Sequence, residues 1–102
     1  MSRAKMRVVR LHAPGDLRLH EEALPQPAAG EILLRVNAVG ICGSDLHQYH
    51  GRERVANGTI PGHEFVGRVV EVGSDVTSFL TDDRVFSPFT TCCGHCYFCT
   101  HG

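Results

Sequence analysis

Short apolar stretches, each broken by glycine or proline, are the feature that most limits what this chain can fold into. The strongest strand pattern runs from Phe65 to Val72 and holds four valines, and a Gly-Ser-Asp turn follows it directly. Several other stretches of similar length are separated by turn residues in the same way. Many short strands with glycine and proline turns predict a mainly β fold, built as a partly open β-barrel with a short helix.

The first half of the chain predicts a hairpin followed by a central strand. Residues 5–11 and 17–21 have strand patterns, and Ala-Pro-Gly-Asp at 13–16 supplies the turn between them. Residues 31–39 carry apolar side chains on both faces, which predicts a mostly buried central strand.

The segment after this central strand predicts one or two helical turns from Ser44 to Tyr49, with Ser44 as the N-cap. Residues 76–80 are expected to return toward the sheet. A last strand over 84–89 is expected to be stopped by Pro88.

Length and charge bound the class of protein. With 102 residues there is room for one domain with a modest core. The net charge of −1 offers no electrostatic attraction for nucleic acid or an anionic membrane. No apolar run approaches the ~20 residues of a membrane span, and no apolar signal core follows the basic start. A cytoplasmic location is therefore expected.

Cysteine usage favours metal binding over disulfides. The chain has five cysteines, an odd number, and four of them are packed into eight residues. In a reducing compartment such a cluster is typical of a metal site. The five lie at positions 42, 92, 93, 96 and 99.

A first candidate site combines a thiol and an imidazole. Cys42 and His63 lie 21 residues apart, and both are good zinc ligands. Asp45 could hold the far nitrogen of His63, Ser44 supplies a hydroxyl, and His47 could pass a proton to solvent. The plainer alternatives are a buried apolar thiol, a core histidine, a helix cap and a solvated histidine.

The residues around this site resemble those of a known family. Gly-Ile-Cys-Gly-Ser-Asp-Leu-His at 40–47, followed by Pro-Gly-His-Glu-Phe-Val-Gly at 61–67, resembles the zinc-dependent alcohol dehydrogenases of the medium-chain dehydrogenase/reductase superfamily. The Cys-Gly-Ser-Asp form is similar to the polyol (sorbitol-dehydrogenase-like) branch. The resemblance covers nearly the whole chain. It implies that residues 1–102 are the N-terminal GroES-like catalytic domain, truncated within the structural-zinc lobe.

The resemblance also implies a reaction. An alcohol or polyol would be oxidised to a carbonyl by hydride transfer to NAD or NADP, with zinc acting as a Lewis acid on the substrate oxygen. Cys42 and His63 would be zinc ligands. Glu64 ligates the zinc in polyol-type relatives and sits behind the metal in other branches, and both alternatives stay open. Ser44 would take the hydroxyl proton and His47 would relay it outward. The expected partner is a small-molecule alcohol or polyol, and full-length relatives are expected to be homo-oligomers.

The second cluster resembles the structural-zinc lobe of that family. Its thiols follow one another at a spacing of three residues: Cys93, Cys96 and Cys99. In the family a fourth cysteine follows after seven residues, whereas this sequence has three residues after Cys99. A structural zinc needs four ligands, so the shell is incomplete as written. The substitutes are His101, His95 and Cys92, and the alternative is three reduced thiols without metal.

Two departures from the family pattern qualify the expected activity. Asp82 stands where the family has a turn glycine, which predicts backbone strain. No Gly-x-Gly occurs in the sequence, so the dinucleotide fingerprint of a Rossmann domain is absent. NAD or NADP is expected only with that domain, and the 102 residues alone are expected to be inactive. The rival hypotheses are a non-catalytic zinc-binding or partner-binding module and a zinc-knuckle nucleic-acid protein, which the charge disfavours.

Overall fold

The computed structural model describes residues 4–87 and 91–101. Strands dominate these residues, which confirms the predicted mainly β class. The elements in chain order are β1 (Lys5–Ala13), β2 (Asp16–Ala23), β3 (Ile32–Gly40), α1 (Gly43–Tyr49), β4 (Glu64–Val72), β5 (Arg84–Phe86) and α2 (Tyr97–His101). The two helices have seven and five residues, and neither described helix is long enough to cross a membrane.

The predicted hairpin is confirmed. β1 and β2 pair antiparallel from Lys5↔Ala23 to Ala13↔Asp16. A bulge falls between Leu11 and Ala13, so β1 carries one more residue than β2 at that point.

The second sheet has the order β3-β4-β5, with both pairs antiparallel. β3 and β4 pair from Ile32↔Val72 to Gly40↔Glu64, with two irregularities in the register. Gly67 of β4 is buried, and a Cβ at this position would clash with the Arg35 carbonyl oxygen of β3. The close approach of these two backbones therefore requires glycine at this position.

The end of the second sheet is shorter than predicted. β5 covers only Arg84–Phe86, and Pro88 lies outside the described residues. Residues 76–80 form no strand. The chain rejoins the sheet at Asp82, whose N–H donates to the Val69 carbonyl at 2.8 Å.

The two sheets are joined through the segment that follows α1. The Leu11 N–H donates to the Thr59 carbonyl at 2.8 Å, and the Gly58 N–H donates to the Leu11 carbonyl at 2.9 Å. The Gly15 N–H donates to the Tyr49 carbonyl at 2.8 Å, which ties the hairpin turn to the end of α1. Among the described residues the strands form an open arrangement and no closed barrel.

The core is small. Only three hydrophobic side chains of the described chain are buried, namely Val8, Leu11 and Val69. The accessible surface is 8038 Å², whereas a compact chain of 11.2 kDa would expose about 5,700 Å². The prediction of a mostly buried β3 is wrong, since Val36 and Val39 are 50% and 51% exposed. Alternating apolar residues mark a strand, but the described residues place no further layer of structure over it.

The N-cap of α1 is Cys42, so the predicted cap at Ser44 is wrong. Cys42 has extended backbone angles, φ −96° and ψ 158°, and helical residues begin at Gly43. The Asp45 carboxylate reaches back to accept a hydrogen bond from the Cys42 N–H at 2.9 Å. This hydrogen bond satisfies the backbone N–H group of the cap residue. It therefore favours a helix that begins at Gly43 over a helix that begins after Ser44.

Asp82 adopts a left-handed backbone conformation with φ 77°, which confirms the predicted strain. We expect Asp82→Gly to raise the free energy of unfolding by about 0.5–1 kcal/mol. Relief of about 1–2 kcal/mol of strain is partly offset by the greater freedom of glycine in the unfolded chain. Urea unfolding measures this difference. Asp75→Gly, in a turn without a positive φ, is the control and should lower stability. An equal decrease in the free energy of unfolding in both variants would contradict the assignment of strain to Asp82.

The hairpin contains an ion pair that should make stability depend on pH. The Arg10 guanidinium donates two hydrogen bonds of 2.7 Å to Glu22, and this bonding lowers the pKa of Glu22 from its ordinary value of 4.5. Because the pKa of Glu22 is lower in the folded state, the ionised side chain stabilises the fold at pH values above its unfolded-state pKa. This stabilisation is lost as the pH falls through the folded-state pKa. Glu22→Gln should therefore narrow the stability difference between pH 7 and pH 3, measured by thermal unfolding. Glu21→Gln, at an exposed neighbour, should leave that difference nearly unchanged.

Candidate metal centre

The pairing of β3 with β4 creates the candidate site. The last pair of this ladder is Gly40↔Glu64, so the chain leaving β3 and the chain entering β4 lie side by side. Cys42 follows β3 by two residues and His63 precedes β4 by one. Antiparallel register thus brings together two residues that are 21 positions apart.

Three potential ligands converge at this point. One ligand atom from each of Cys42, His63 and Glu64 lies within 4.8 Å of the others. The predicted convergence of Cys42 and His63 is confirmed. Cys42 and His63 are partly buried and Glu64 is exposed.

Glu64 can join His63 because the chain is distorted on entering β4. Neighbouring residues of a regular strand point to opposite sides. Gly62 has φ 103°, a conformation that favours glycine, and it reorients the chain just before His63. Across the ladder Gly40 leaves room for the glutamate, since a Cβ there would lie 3.3 Å from Glu64 Oε2. The geometry thus permits Glu64 as a ligand, and its assignment stays a prediction.

Asp45 connects the helix to the imidazole. Its Oδ2 accepts the hydrogen bond from the Cys42 N–H, and its Oδ1 lies 3.7 Å from His63 Nδ1. Oδ1 is buried without a hydrogen-bond partner, and the side chain is 14% exposed. A buried oxygen without a partner is costly. A small rotation of His63 would let Nδ1–H donate to it, which is the bond that holds a metal-ligating histidine.

The electrostatics of the site favour a thiolate. Hydrogen bonding from the Ser44 side chain is the main cause that lowers the pKa of Cys42, with the Ser44 backbone N–H and His63 also contributing. The Cys42 hydrogen bond in turn raises the pKa of His63, and the Asp45 charge adds to this effect. The thiolate is the form of cysteine that binds metal, so a lowered thiol pKa favours metal binding at Cys42.

The donor set fits zinc. Sulfur, imidazole nitrogen and carboxylate oxygen all bind Zn²⁺, and three protein ligands with one open position are the pattern of catalytic zinc sites. The unpartnered Asp45 Oδ1 beside the imidazole suits the same interpretation. The residues present therefore suit a zinc ion.

The two predicted proton-transfer residues differ in their surroundings. Ser44 is partly buried beside the Cys42 sulfur. His47 is exposed in the last turn of α1, three residues after Ser44 and therefore on a neighbouring part of the helix surface. Their roles in catalysis stay predictions.

The cysteine lobe forms a second group of potential ligands. The sulfur atoms of Cys93, Cys96 and Cys99 lie within 4.8 Å of one another, with Cys96 and Cys99 3.4 Å apart. The His95 N–H donates to Cys93 Sγ and is the main cause that lowers the pKa of Cys93 to about 7. With a pKa of about 7, about half of the Cys93 side chains are thiolates at neutral pH, and the thiolate is the form that binds metal.

No fourth ligand joins these thiols within residues 4–87 and 91–101. His95 and Cys92 are not part of the group. His101 Nδ1 lies 2.9 Å from the Tyr97 carbonyl oxygen, and its ring stacks on Tyr97 at 4.1 Å. His101, one of the three predicted substitutes, is instead paired with Tyr97, which lies one helical turn earlier on α2.

An apolar cavity of about 490 Å³ borders the first site at Asp45 and Gly62. Its walls come from both sheets and from α1, and its side chains include Val9, Leu17, Val39, Ile41, Leu46 and Tyr49. Sequence reasoning missed the part played by the hairpin. No local signal could have shown it, because Val9 and Leu17 reach the cavity only through the way the hairpin docks.

Comparison with known proteins agrees with this geometry. The family "Alcohol dehydrogenase GroES-like domain" matches residues 28–102. Zinc-type alcohol dehydrogenase B of Aspergillus flavus is 43% identical over 99 residues, covering 96% of this chain and 23% of that protein. Sorbitol dehydrogenase of Halalkalibacterium halodurans is 41% identical over 92 residues, covering 89% of this chain and 27% of that protein.

A solved structure supports the same relationship. Alcohol dehydrogenase TADH from Thermus sp. ATN1 superposes with a TM-score of 0.85 at 39% identity, covering 94% of this chain and 28% of that one. The chain thus spans about a quarter of the length of these relatives. With its strand order, its paired motifs and these similarities, the chain belongs to the GroES-like domain family of the zinc-dependent alcohol dehydrogenases.

Proposed function

We propose that this chain is the N-terminal, zinc-holding part of an oxidoreductase that oxidises an alcohol or polyol to a carbonyl by hydride transfer to NAD or NADP. The observation that carries the proposal is the convergence of Cys42, His63 and Glu64 within 4.8 Å. Relatives named as zinc-type alcohol dehydrogenase and sorbitol dehydrogenase support the substrate class.

The residues divide the work of the reaction between them. Cys42, His63 and Glu64 would hold zinc, which when bound supplies a Lewis acid for the substrate hydroxyl group. Asp45 would orient His63 through its buried Oδ1 and keep Cys42 at the start of α1 through Oδ2. It acts as a positioning residue because it reaches the site through these two neighbours.

Two residues of α1 would carry out the proton transfer. Ser44, beside the Cys42 sulfur, would accept the proton of the substrate hydroxyl as the hydride leaves for the nicotinamide. His47, exposed one turn further along the helix, would pass that proton to solvent. The alcohol thereby loses one hydride and one proton and becomes a carbonyl.

The metal assignment can be tested with cobalt in place of zinc. Cys42→Ser should remove one equivalent of bound Co²⁺ together with its thiolate-to-metal absorption, because the only thiolate of the proposed site is lost. Glu64→Gln should weaken binding by about tenfold or more if the carboxylate is a ligand. Cys92→Ser, at an exposed cysteine outside both ligand groups, is the matched control and should change nothing.

Unchanged cobalt stoichiometry and absorption in Cys42→Ser would contradict the metal centre. Circular dichroism must show that the variant remains folded. If Glu64→Gln binds Co²⁺ as tightly as the wild type, Glu64 is not a ligand, and only Cys42 and His63 of the three converging residues hold the metal.

The catalytic proposal can be tested in a chimera in which this chain replaces the matching segment of the Thermus alcohol dehydrogenase. The chimera should oxidise alcohols with a nicotinamide cofactor. Ser44→Ala should lower kcat by about a hundredfold or more, because the proton acceptor is lost. Ser74→Ala, at an exposed turn residue, should leave kcat unchanged.

The outcome that contradicts the proposal is a Ser44→Ala or Cys42→Ser chimera as active as its parent. Sorbitol and a simple secondary alcohol, compared by kcat/KM, would distinguish the polyol from the alcohol alternative.

A further inference from the structure

Two histidines face each other on the hairpin, and neither belongs to the two cysteine-containing groups. His12 Nε2 and His20 Nε2 lie 2.9 Å apart, and the ring centroids are 5.1 Å apart at an interplanar angle of 44°. Both side chains are partly buried. The bulge in β1 explains their meeting, because His12 is the extra residue between the pairs Leu11↔Leu17 and Ala13↔Asp16.

A third residue determines the tautomer of His12. Asn57 Oδ1 lies 3.0 Å from His12 Nδ1, and an amide oxygen can only accept a hydrogen bond. Nδ1 of His12 is therefore the donor, and in the neutral ring Nε2 carries a lone pair directed at His20. His20 Nε2–H completes the pair by donating to it.

Asn57 is held in this place by the backbone around it. The Gly58 N–H donates to the Leu11 carbonyl at 2.9 Å, and the Arg10 guanidinium donates to the Gly58 carbonyl at 2.7 Å. The amide that orients His12 is thus attached to the same strand that carries His12. Such a bond from an imidazole N–H to a fixed oxygen is the usual support of a metal-ligating histidine.

The spacing of the two nitrogens matches the needs of a divalent metal. Two imidazole nitrogens that bind one ion at about 2.0–2.1 Å lie about 2.9–3.4 Å apart. To bind one ion, each ring would turn by about 45° so that its Nε2 lone pair points at the metal. His20 would also change tautomer, its proton moving from Nε2 to Nδ1 through solvent. His12 and Asn57 also border a cavity of about 250 Å³, which leaves room for water to complete the coordination.

The charges nearby are compatible with a cation. Asp16 and Glu22 lie close enough for the histidines to influence them electrostatically. Each carboxylate is already bonded to an arginine, Asp16 to Arg18 and Glu22 to Arg10. They offset the arginine charges and leave the two imidazoles as the metal donors.

We propose that His12 and His20, with Asn57 orienting His12, form a further metal site. It would bind a divalent cation that prefers imidazole ligands, such as Ni²⁺, Cu²⁺ or Zn²⁺. The site is independent of the Cys42, His63 and Glu64 centre, since its residues belong to the hairpin and the segment after α1. Its two-imidazole donor set suits these metals and gives no preference to Mg²⁺ or Ca²⁺.

The test uses Ni²⁺ on the whole chain after loading with zinc and dialysis against zinc-free buffer. The tighter thiolate groups then keep their zinc, while the two-imidazole site is free to take up Ni²⁺. In protein labelled with ¹⁵N-histidine, paramagnetic Ni²⁺ should first broaden the ring signals of His12 and His20. Calorimetry should show His20→Gln lowering the Ni²⁺ affinity at least about tenfold, and Asn57→Ala lowering it about tenfold while both imidazoles remain. The matched control is His50→Gln, at an exposed histidine of another element, which should bind as the wild type does.

Ni²⁺ binding unaffected by His20→Gln, or broadening confined to other histidines, would overturn the proposal. If His20→Gln does not fold, the wild-type broadening pattern decides the question by itself. Failure here would leave the cobalt result at Cys42 unchanged, because the two experiments address different residues.

Discussion

The register between β3 and β4 is the constraint on which the rest of the site depends. Gly40↔Glu64 is the terminal pair, and Cys42 and His63 lie just beyond it on the two chains. A slip of one residue would turn every side chain of one strand to the other face of the sheet. Gly67, lying directly under the Arg35 carbonyl, resists such a slip because another residue in its place would clash.

Folding of α1 and assembly of the metal centre depend on the same carboxylate. Asp45 satisfies the Cys42 N–H at the start of the helix and presents its other oxygen to His63. The helix start therefore fixes the position of the thiol, while the unpartnered Oδ1 keeps an acceptor ready for the imidazole. Since metal binding requires both ligands in place, the local stability of α1 contributes to the affinity of the site.

The hairpin adds features that the paired motifs do not contain. It supplies Val9 and Leu17 to the apolar cavity beside Asp45, and its bulge brings His12 to His20. Its attachment to the rest of the fold relies on a few backbone hydrogen bonds near Leu11 and Gly15. Since the described core has only three buried hydrophobic side chains, these backbone bonds help to hold the hairpin against the rest of the fold.

The sequence was sufficient to predict the hairpin, β4, the strained turn at Asp82 and the meeting of Cys42 with His63. Turn residues and strand alternation encode the hairpin and β4 directly, whereas the family resemblance supplied the strain at Asp82 and the pairing of Cys42 with His63. The Cys42 cap and the His101–Tyr97 pair follow from hydrogen bonds between residues three and four positions apart, at the start of α1 and within α2. Tertiary structure alone decided that β3 is half exposed and that His12 meets His20. These two features depend on which surfaces are covered and on where the bulge falls in β1, and residue spacing along the chain carries no information about either.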